Sequence, residues 1–232
     1  FAKFNGKELT ASELHDLVQH TSGQLRDLGI ESGDRVAYML DNNLDLIVLV
    51  FSLMLIGSIQ IPINTKLRND SLKFIVSHCE AKLVIAEDGY QSILTPLVSP
   101  QLADGIIYRH SQYSFQWHNP KNILSTVVVK NEALGADDVQ FILYTSGTTG
   151  EPKGVLVTDR MLRAAADACA KTSSASANDR FLLWEPLFHI GALQILPLVL
   201  LKNISLILVP TFSASNFWEW VRSEGVTKIH FL

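Results

Sequence analysis

Residues Tyr144 to Val155 read Tyr-Thr-Ser-Gly-Thr-Thr-Gly-Glu-Pro-Lys-Gly-Val, concentrating hydroxyls, glycines and one ammonium in a turn between two apolar runs. Glycines let backbone N–H groups converge on an anion without Cβ interference, Thr and Ser hydroxyls donate to phosphate oxygens, and the lysine neutralises charge. The chemistry such a set supports is the gripping of a polyphosphate. Val139, Phe141 and Leu143 alternate with Gln140, Ile142 and Tyr144, and Val155 to Thr158 form a second β-favouring run, so the turn is expected between two strands. A Walker P-loop needs Gly-Lys-Ser/Thr opening a helix, whereas Lys153 follows Pro152 and precedes Gly154. No dinucleotide Gly-x-Gly-x-x-Gly fingerprint is present either. A solvated Gly-rich hairpin has a similar composition; the order of residues is more specific than that.

Position by position, the run is similar to the phosphate-loop signature of the adenylate-forming superfamily: acyl-CoA and aryl-CoA ligases, luciferases and the adenylation domains of peptide synthetases. The resemblance implies attack of a carboxylate on the α-phosphate of ATP, giving an acyl-adenylate and pyrophosphate, then transfer to a thiol. It implies ATP, Mg²⁺ and coenzyme A as cofactors and a small-molecule carboxylic acid as substrate. It also places Thr145, Ser146, Gly147, Thr148, Thr149 and Gly150 around the β- and γ-phosphates, with Lys153 on the same loop as a catalytic cation. The physical demand is clear, because a pentavalent transition state and departing pyrophosphate carry dense negative charge that preorganised donors and cations must meet.

A second constellation, Trp184-Glu-Pro-Leu-Phe-His-Ile-Gly191, resembles the family's Pro-x-Phe-His-x-x-Gly segment, with the last glycine one residue sooner. In acyl-CoA and aryl-CoA ligases an aromatic residue or histidine here borders the carboxylate pocket and the mouth of the thiol tunnel. The resemblance therefore makes His189 the second catalytic candidate, and a near-neutral pKa suits it to donate or accept. A satisfied histidine at a helix start is the ordinary alternative. Amino-acid adenylation domains tend to carry Phe-Asp in this neighbourhood, so Phe188-His189 points to a simple carboxylic acid.

These residues need a rigid frame, and 232 residues at 47% hydrophobic can bury one as a single large domain or two smaller α/β lobes. With 19 Lys and Arg against 23 Asp and Glu, no basic stripe for nucleic acid and no polybasic patch for an anionic membrane is implied. Cys79 and Cys169 stand far apart with no CxxC pattern and read as reduced, buried thiols; with no apolar leader at the amino terminus, this points to the cytoplasm. The seven histidines show no metal-ligand spacing, so no protein-bound metal is expected. Leu46 to Thr65 is uncharged and about long enough to span a bilayer, but Gly57, Gln60 and Pro62 interrupt it. A buried helix started by Asp41-Asn42-Asn43 and ended near Gly57, then a strand Ile59 to Ile63, explains it better. A homodimer is an allowed assembly.

The remaining elements alternate in the same way. Thr10-Ala-Ser-Glu13 is a capping box before an apolar stripe, Leu14, Leu17, Val18, Leu25 and Leu28, closed by Gly29. Strands follow at Arg35 to Leu40, Lys82 to Ala86, Gly105 to Tyr108 and Thr126 to Lys130, with a helix from about Asp70 to Cys79 and a polar surface connection from Arg109 to Pro120 carrying His110 and His118. Asp159 is expected to cap a helix to about Lys171, and Ser173 to Asn178 forms a polar linker. Beyond it come a strand at Arg180 to Trp184, one helix from Ile190 to Leu201, a strand at Ser205 to Val209, a helix from Ala214 to Ser223 and a strand at Thr227 to Leu232. The expected fold is α/β, with largely parallel sheets covered by helices. Residues 1–172 would form a first lobe including the phosphate hairpin, and 173–232 the start of a second.

The resemblance covers nearly the whole chain, including Gly33-Asp-Arg-Val36 and Gly57 to Asn64; Phe212 to Trp218 looks most like bacterial ligases of the crotonobetaine and carnitine type. It implies the amino-terminal domain lobes of the adenylate-forming enzyme fold, incomplete, from a longer acid–thiol ligase and inactive alone. The alternatives are an adenylating enzyme with a carrier-protein acceptor, and a non-catalytic nucleotide-binding module.

Overall fold

The computed structural model describes residues 1–97, 106–109, 135–145 and 150–230. Strands β1 (Ala2–Phe4) and β2 (Lys7–Leu9) precede helix α1 (Ala11–Asp27), and β3 (Arg35–Met39) leads into α2 (Leu44–Ile56). Next come β4 (Ile59–Pro62), α3 (Asn69–His78), β5 (Leu83–Glu87), a short α4 (Gln91–Leu94) and β6 (Ile106–Arg109). The hairpin β7 (Val139–Thr145) and β8 (Lys153–Thr158) opens onto α5 (Asp159–Ser173), followed by β9 (Arg180–Leu183), α6 (Ile190–Leu193), α7 (Leu196–Lys202), β10 (Ser205–Leu208), α8 (Phe217–Ser223) and β11 (Lys228–Ile229).

Local chemistry explains the helix limits. At α1 the Thr10 hydroxyl accepts from the Glu13 N–H while the Glu13 carboxylate accepts from the Thr10 N–H, so two otherwise unpaired groups satisfy each other. The Asn43 side chain caps α2 by accepting from the Leu46 N–H, and Gly57, at φ 84°, ends it in a left-handed conformation costly for any other residue. That break divides the uncharged run into α2 and β4. Among the described residues no helix is long and apolar enough to cross a membrane.

Among the described residues the strands form a five-stranded sheet in the order β11-β9-β10-β1-β2 and a six-stranded sheet in the order β6-β5-β3-β4-β7-β8. Neighbours are parallel except in β1–β2 and β7–β8, so the expected largely parallel architecture is present. Strand alternation sends Val36, Tyr38 and Ile85 into one core with Leu49 and Leu53 of α2 and with Phe181, Leu183, Leu206 and Leu208 of the other sheet. Helix α2, buried almost all round, thus fills the space between the sheets. Ala37, Met39, Val84 and Ala86 face the opposite way, onto Leu72, Ile75 and Val76 of α3. On the far side of the five-stranded sheet, Leu182, Ile207 and Val209 pack against Phe217, Trp220 and Val221. Cys79 and Cys169 are free and buried, as expected.

Three details differ from the sequence reading. The first nine residues form a hairpin turning at Asn5 and Gly6, both at positive φ, and β1 pairs in parallel with β10, so residues 2–9 share a sheet with residues 180–229. The cap of α5 is Thr158, whose hydroxyl accepts from the Met161 N–H, and Asp159 instead pairs with Arg163 one turn on. The single helix expected from Ile190 is two, because Pro197 lacks the N–H that continuation requires and opens α7. The expected strand at 126–130, residues 110–120 with His110 and His118, and Ser146, Gly147, Thr148 and Thr149 lie outside the described residues.

Candidate active site

Strand pairing mounts the phosphate-loop candidate. Thr145 ends β7 directly opposite Lys153, which begins β8, so the two residues stand at the base of the connection between them. The Thr145 hydroxyl leans on the Lys153 carbonyl at 3.5 Å. Gly150 has φ 148°, a conformation L side chains rarely adopt. Gly154, opposite Tyr144, is required by space instead: a Cβ there would fall 2.8 Å from Ile142 Cγ2 and 3.5 Å from Tyr144 Cζ. The Lys153-Gly154 pair thus lets the strand pass close beneath Tyr144 while leaving the lysine exposed.

Tyr144 is braced from outside the hairpin. Its hydroxyl lies 2.8 Å from His78 Nδ1, the two rings meet edge to face, and His78 stacks on Phe74 with centroids 4.9 Å apart. Burial pushes the Tyr144 phenol up to about 12, so it keeps its proton at neutral pH.

The other constellation is held by the opposite sheet. After β9 the chain runs through Glu185, Pro186 and Leu187, and the His189 N–H donates to the Pro186 carbonyl at 3.0 Å. The Asn42 amide, buried behind β3, donates to the Glu185 carbonyl and accepts from the Leu187 N–H, each at 3.0 Å. The Glu185 carboxylate accepts from His230 Nδ1 at 2.7 Å, and Gln194 lies 3.1 Å from the other ring nitrogen. His189 is the N-cap residue of α6, its ring tilted on Phe188 with centroids 4.6 Å apart. Partial burial lowers the His189 pKa below the usual imidazole value while the charge of Glu185 pulls it back up, leaving a neutral ring at pH 7 that can donate from one nitrogen and accept at the other.

A cleft of about 290 Å³ joins these parts. Its walls are Tyr144, Thr145 and Pro152 of the hairpin, Phe188 and His189 across from them, and Pro62, Asn64, Leu67, Ser71 and Ile75 from β4 to α3. Thr145 and His189, proposed from separate motifs, therefore face one space. Lys153 is outside its lining, exposed on the hairpin. Sequence reasoning missed Tyr144, His78 and Asn42, whose partners lie 66 to 145 residues away. Only Tyr144 carried a signal, its place at the head of the loop motif. An apolar and aromatic wall facing hydroxyls suits a substrate with one apolar and one anionic end. Among the described residues no group of three His, Cys, Asp or Glu side chains could hold a metal ion.

The chain matches the family described as AMP-binding enzyme over residues 1–232. It is 30% identical over 223 residues to the long-chain-fatty-acid–CoA ligase FadD13 of Mycobacterium tuberculosis, covering 94% of this chain and 43% of that one. To the crotonobetaine/carnitine–CoA ligase of Proteus mirabilis it is 28% identical over 238 residues, covering 95% and 44% respectively. Among solved structures, the inhibitor-bound N-terminal domain of FACL13 from M. tuberculosis superposes with a TM-score of 0.84 at 28% identity, covering 98% of this chain and 57% of that one. The chain spans less than half the length of these curated relatives.

Proposed function

The chain belongs to the AMP-binding enzyme family, and from that premise we propose that the whole protein is an acid–thiol ligase, joining a carboxylic acid to coenzyme A at the expense of ATP. The observation that carries this reading is the shared cleft, with Thr145 and Pro152 of a phosphate-loop hairpin on one wall and Phe188 and His189 on the other. In the first half-reaction a carboxylate oxygen attacks the α-phosphorus of ATP and the α–β bridging oxygen leaves with pyrophosphate. Thr145, Ser146, Gly147, Thr148, Thr149 and Gly150 donate to the β- and γ-phosphate oxygens, and the exposed Lys153 swings its ammonium over the same charge. His189, neutral at pH 7, donates to the substrate carboxylate or the α-phosphate as charge redistributes. In the second half-reaction the thiol sulfur of coenzyme A bonds to the acyl carbon and AMP departs.

Mg²⁺ belongs to the proposal as a companion of the triphosphate, whose charge it neutralises when bound. The described residues supply no metal cage of their own. The relatives are named as ligases of long-chain fatty acids and of crotonobetaine or carnitine, which supports a simple carboxylic acid as the substrate class here. Two free buried thiols and the demand for ATP and coenzyme A fit the cytoplasm. The division into a first lobe, residues 1–172, and a second starting at 173, with β1–β2 crossing to the second sheet, belongs to the same proposal, as does a homodimer.

The test is ATP–pyrophosphate exchange by the whole protein with a panel containing dodecanoate, palmitate and crotonobetaine. Exchange that depends on the acid, with AMP release that depends on coenzyme A, is the expected result. Lys153→Ala should slow adenylation by about 10²-fold, the scale of one lost transition-state charge contact. His189→Ala should raise KM for the acid. Exchange unaffected by either substitution would remove the site from the reaction.

A further inference from the structure

The cleft has one wall on each sheet, so its width depends on whatever fixes the two walls relative to each other. Asn42 spans that join. It follows β3 of the six-stranded sheet, is 5% exposed, and its amide satisfies two backbone groups more than 140 residues away in the segment leaving the five-stranded sheet. Those two groups are not arbitrary. The Glu185 carbonyl and the Leu187 N–H bracket Pro186, and the Pro186 carbonyl in turn receives the His189 N–H. Fixing the peptide on both sides of Pro186 therefore fixes the turn that delivers His189. From the other side the same segment is held by the contact of Glu185 with His230.

We infer that Asn42 is a positioning residue: through the backbone of Glu185 and Leu187 it sets His189 against the acid-binding wall of the cleft. The inference rests on the reading of that cleft as the acid site. Its reach is directional, because the phosphate hairpin is braced separately, by Tyr144 on His78. Loss of the Asn42 amide should therefore disturb acid binding and leave the triphosphate side in place.

The test is a double-mutant cycle in the whole protein, using the acid of the panel that gives the fastest pyrophosphate exchange. Asn42→Ala should raise KM for the acid about tenfold and change KM for ATP less than about twofold. In a His189→Ala background the same substitution should change KM for the acid less than about twofold, since the group it positions is gone. An equal rise in both backgrounds, or an equal rise for acid and ATP, overturns the inference while the site stands. A His189→Ala enzyme with unchanged acid KM overturns the site assignment and the inference together. If Asn42→Ala does not fold, hydrogen exchange in the unaltered protein decides: a Leu187 amide as protected as those of β9 supports the clamp, and free exchange refutes it.

Discussion

At the scale of single residues the site is governed by how each group is kept in one protonation state. Burial holds His189 below its ordinary pKa, and Glu185 opposes the shift. Glu185→Gln should therefore lower the His189 titration midpoint further, read from its imidazole resonances by NMR, and an unchanged midpoint would show that the carboxylate is not felt. The sign for stability follows. The folded ring binds its proton less readily than the unfolded one, so His189 costs nothing above about pH 6.5, lowers stability as pH falls from there to its folded pKa, and adds no further loss below. His189→Gln should flatten that part of a denaturation-midpoint profile. What was legible at this scale was motif chemistry: Thr145 and His189 belong to local patterns, and the structure brings both to one cleft. Asn42 and His78 were not legible, because their role exists only through partners that the fold brings from far along the chain.

At the scale of elements, punctuation residues carried most of the information. The capping box of α1, the Asn43 cap and the Gly57 stop of α2 were all readable, because each acts on neighbours within a turn. Gly57→Ala should cost about 1–2 kcal/mol, the price of a left-handed Cβ, measured by chemical denaturation. Gly154→Ala tests the hairpin: its Cβ would meet Ile142 at 2.8 Å, so overpacking of about 1–3 kcal/mol is expected, with a raised KM for ATP as the loop base spreads. Unaltered stability would show that Ile142 simply turns aside. Asn5-Gly6 was a readable hairpin signal that short three-residue strands concealed, since neither flank is long enough to display an alternation. Pro197 likewise divides what apolar content alone presented as one helix.

At the scale of the molecule, the parallel architecture was legible from the rhythm of strand and helix, but not which strands would be neighbours. Periodicity reports that a strand exists and which faces it buries; pairing order depends on the packing of helix α2 against two sheets at once. The clearest instance is β1, which lies between β10 and β2 and leaves β10 an unpaired edge if removed. Deleting residues 1–9 from the whole protein should therefore lower the melting temperature and drive association through the bared edge of β10, visible as loss of monodisperse material by size exclusion. A deletion protein that stays monodisperse with its melting temperature unchanged would make the hairpin dispensable.

The pairing of Ala2 with Leu206 also imposes a timetable on the ribosome. Every strand of the six-stranded sheet is made before Ser205 exists, so that sheet can assemble while the opening hairpin still has nothing to bind. At roughly 5–20 residues per second, β1 waits on the order of ten seconds or more for its neighbour β10. Throughout that interval the exposed backbone edge of β1 is open to capture by chaperones, and the sheet of β9 and β10 is completed by strands made long before them.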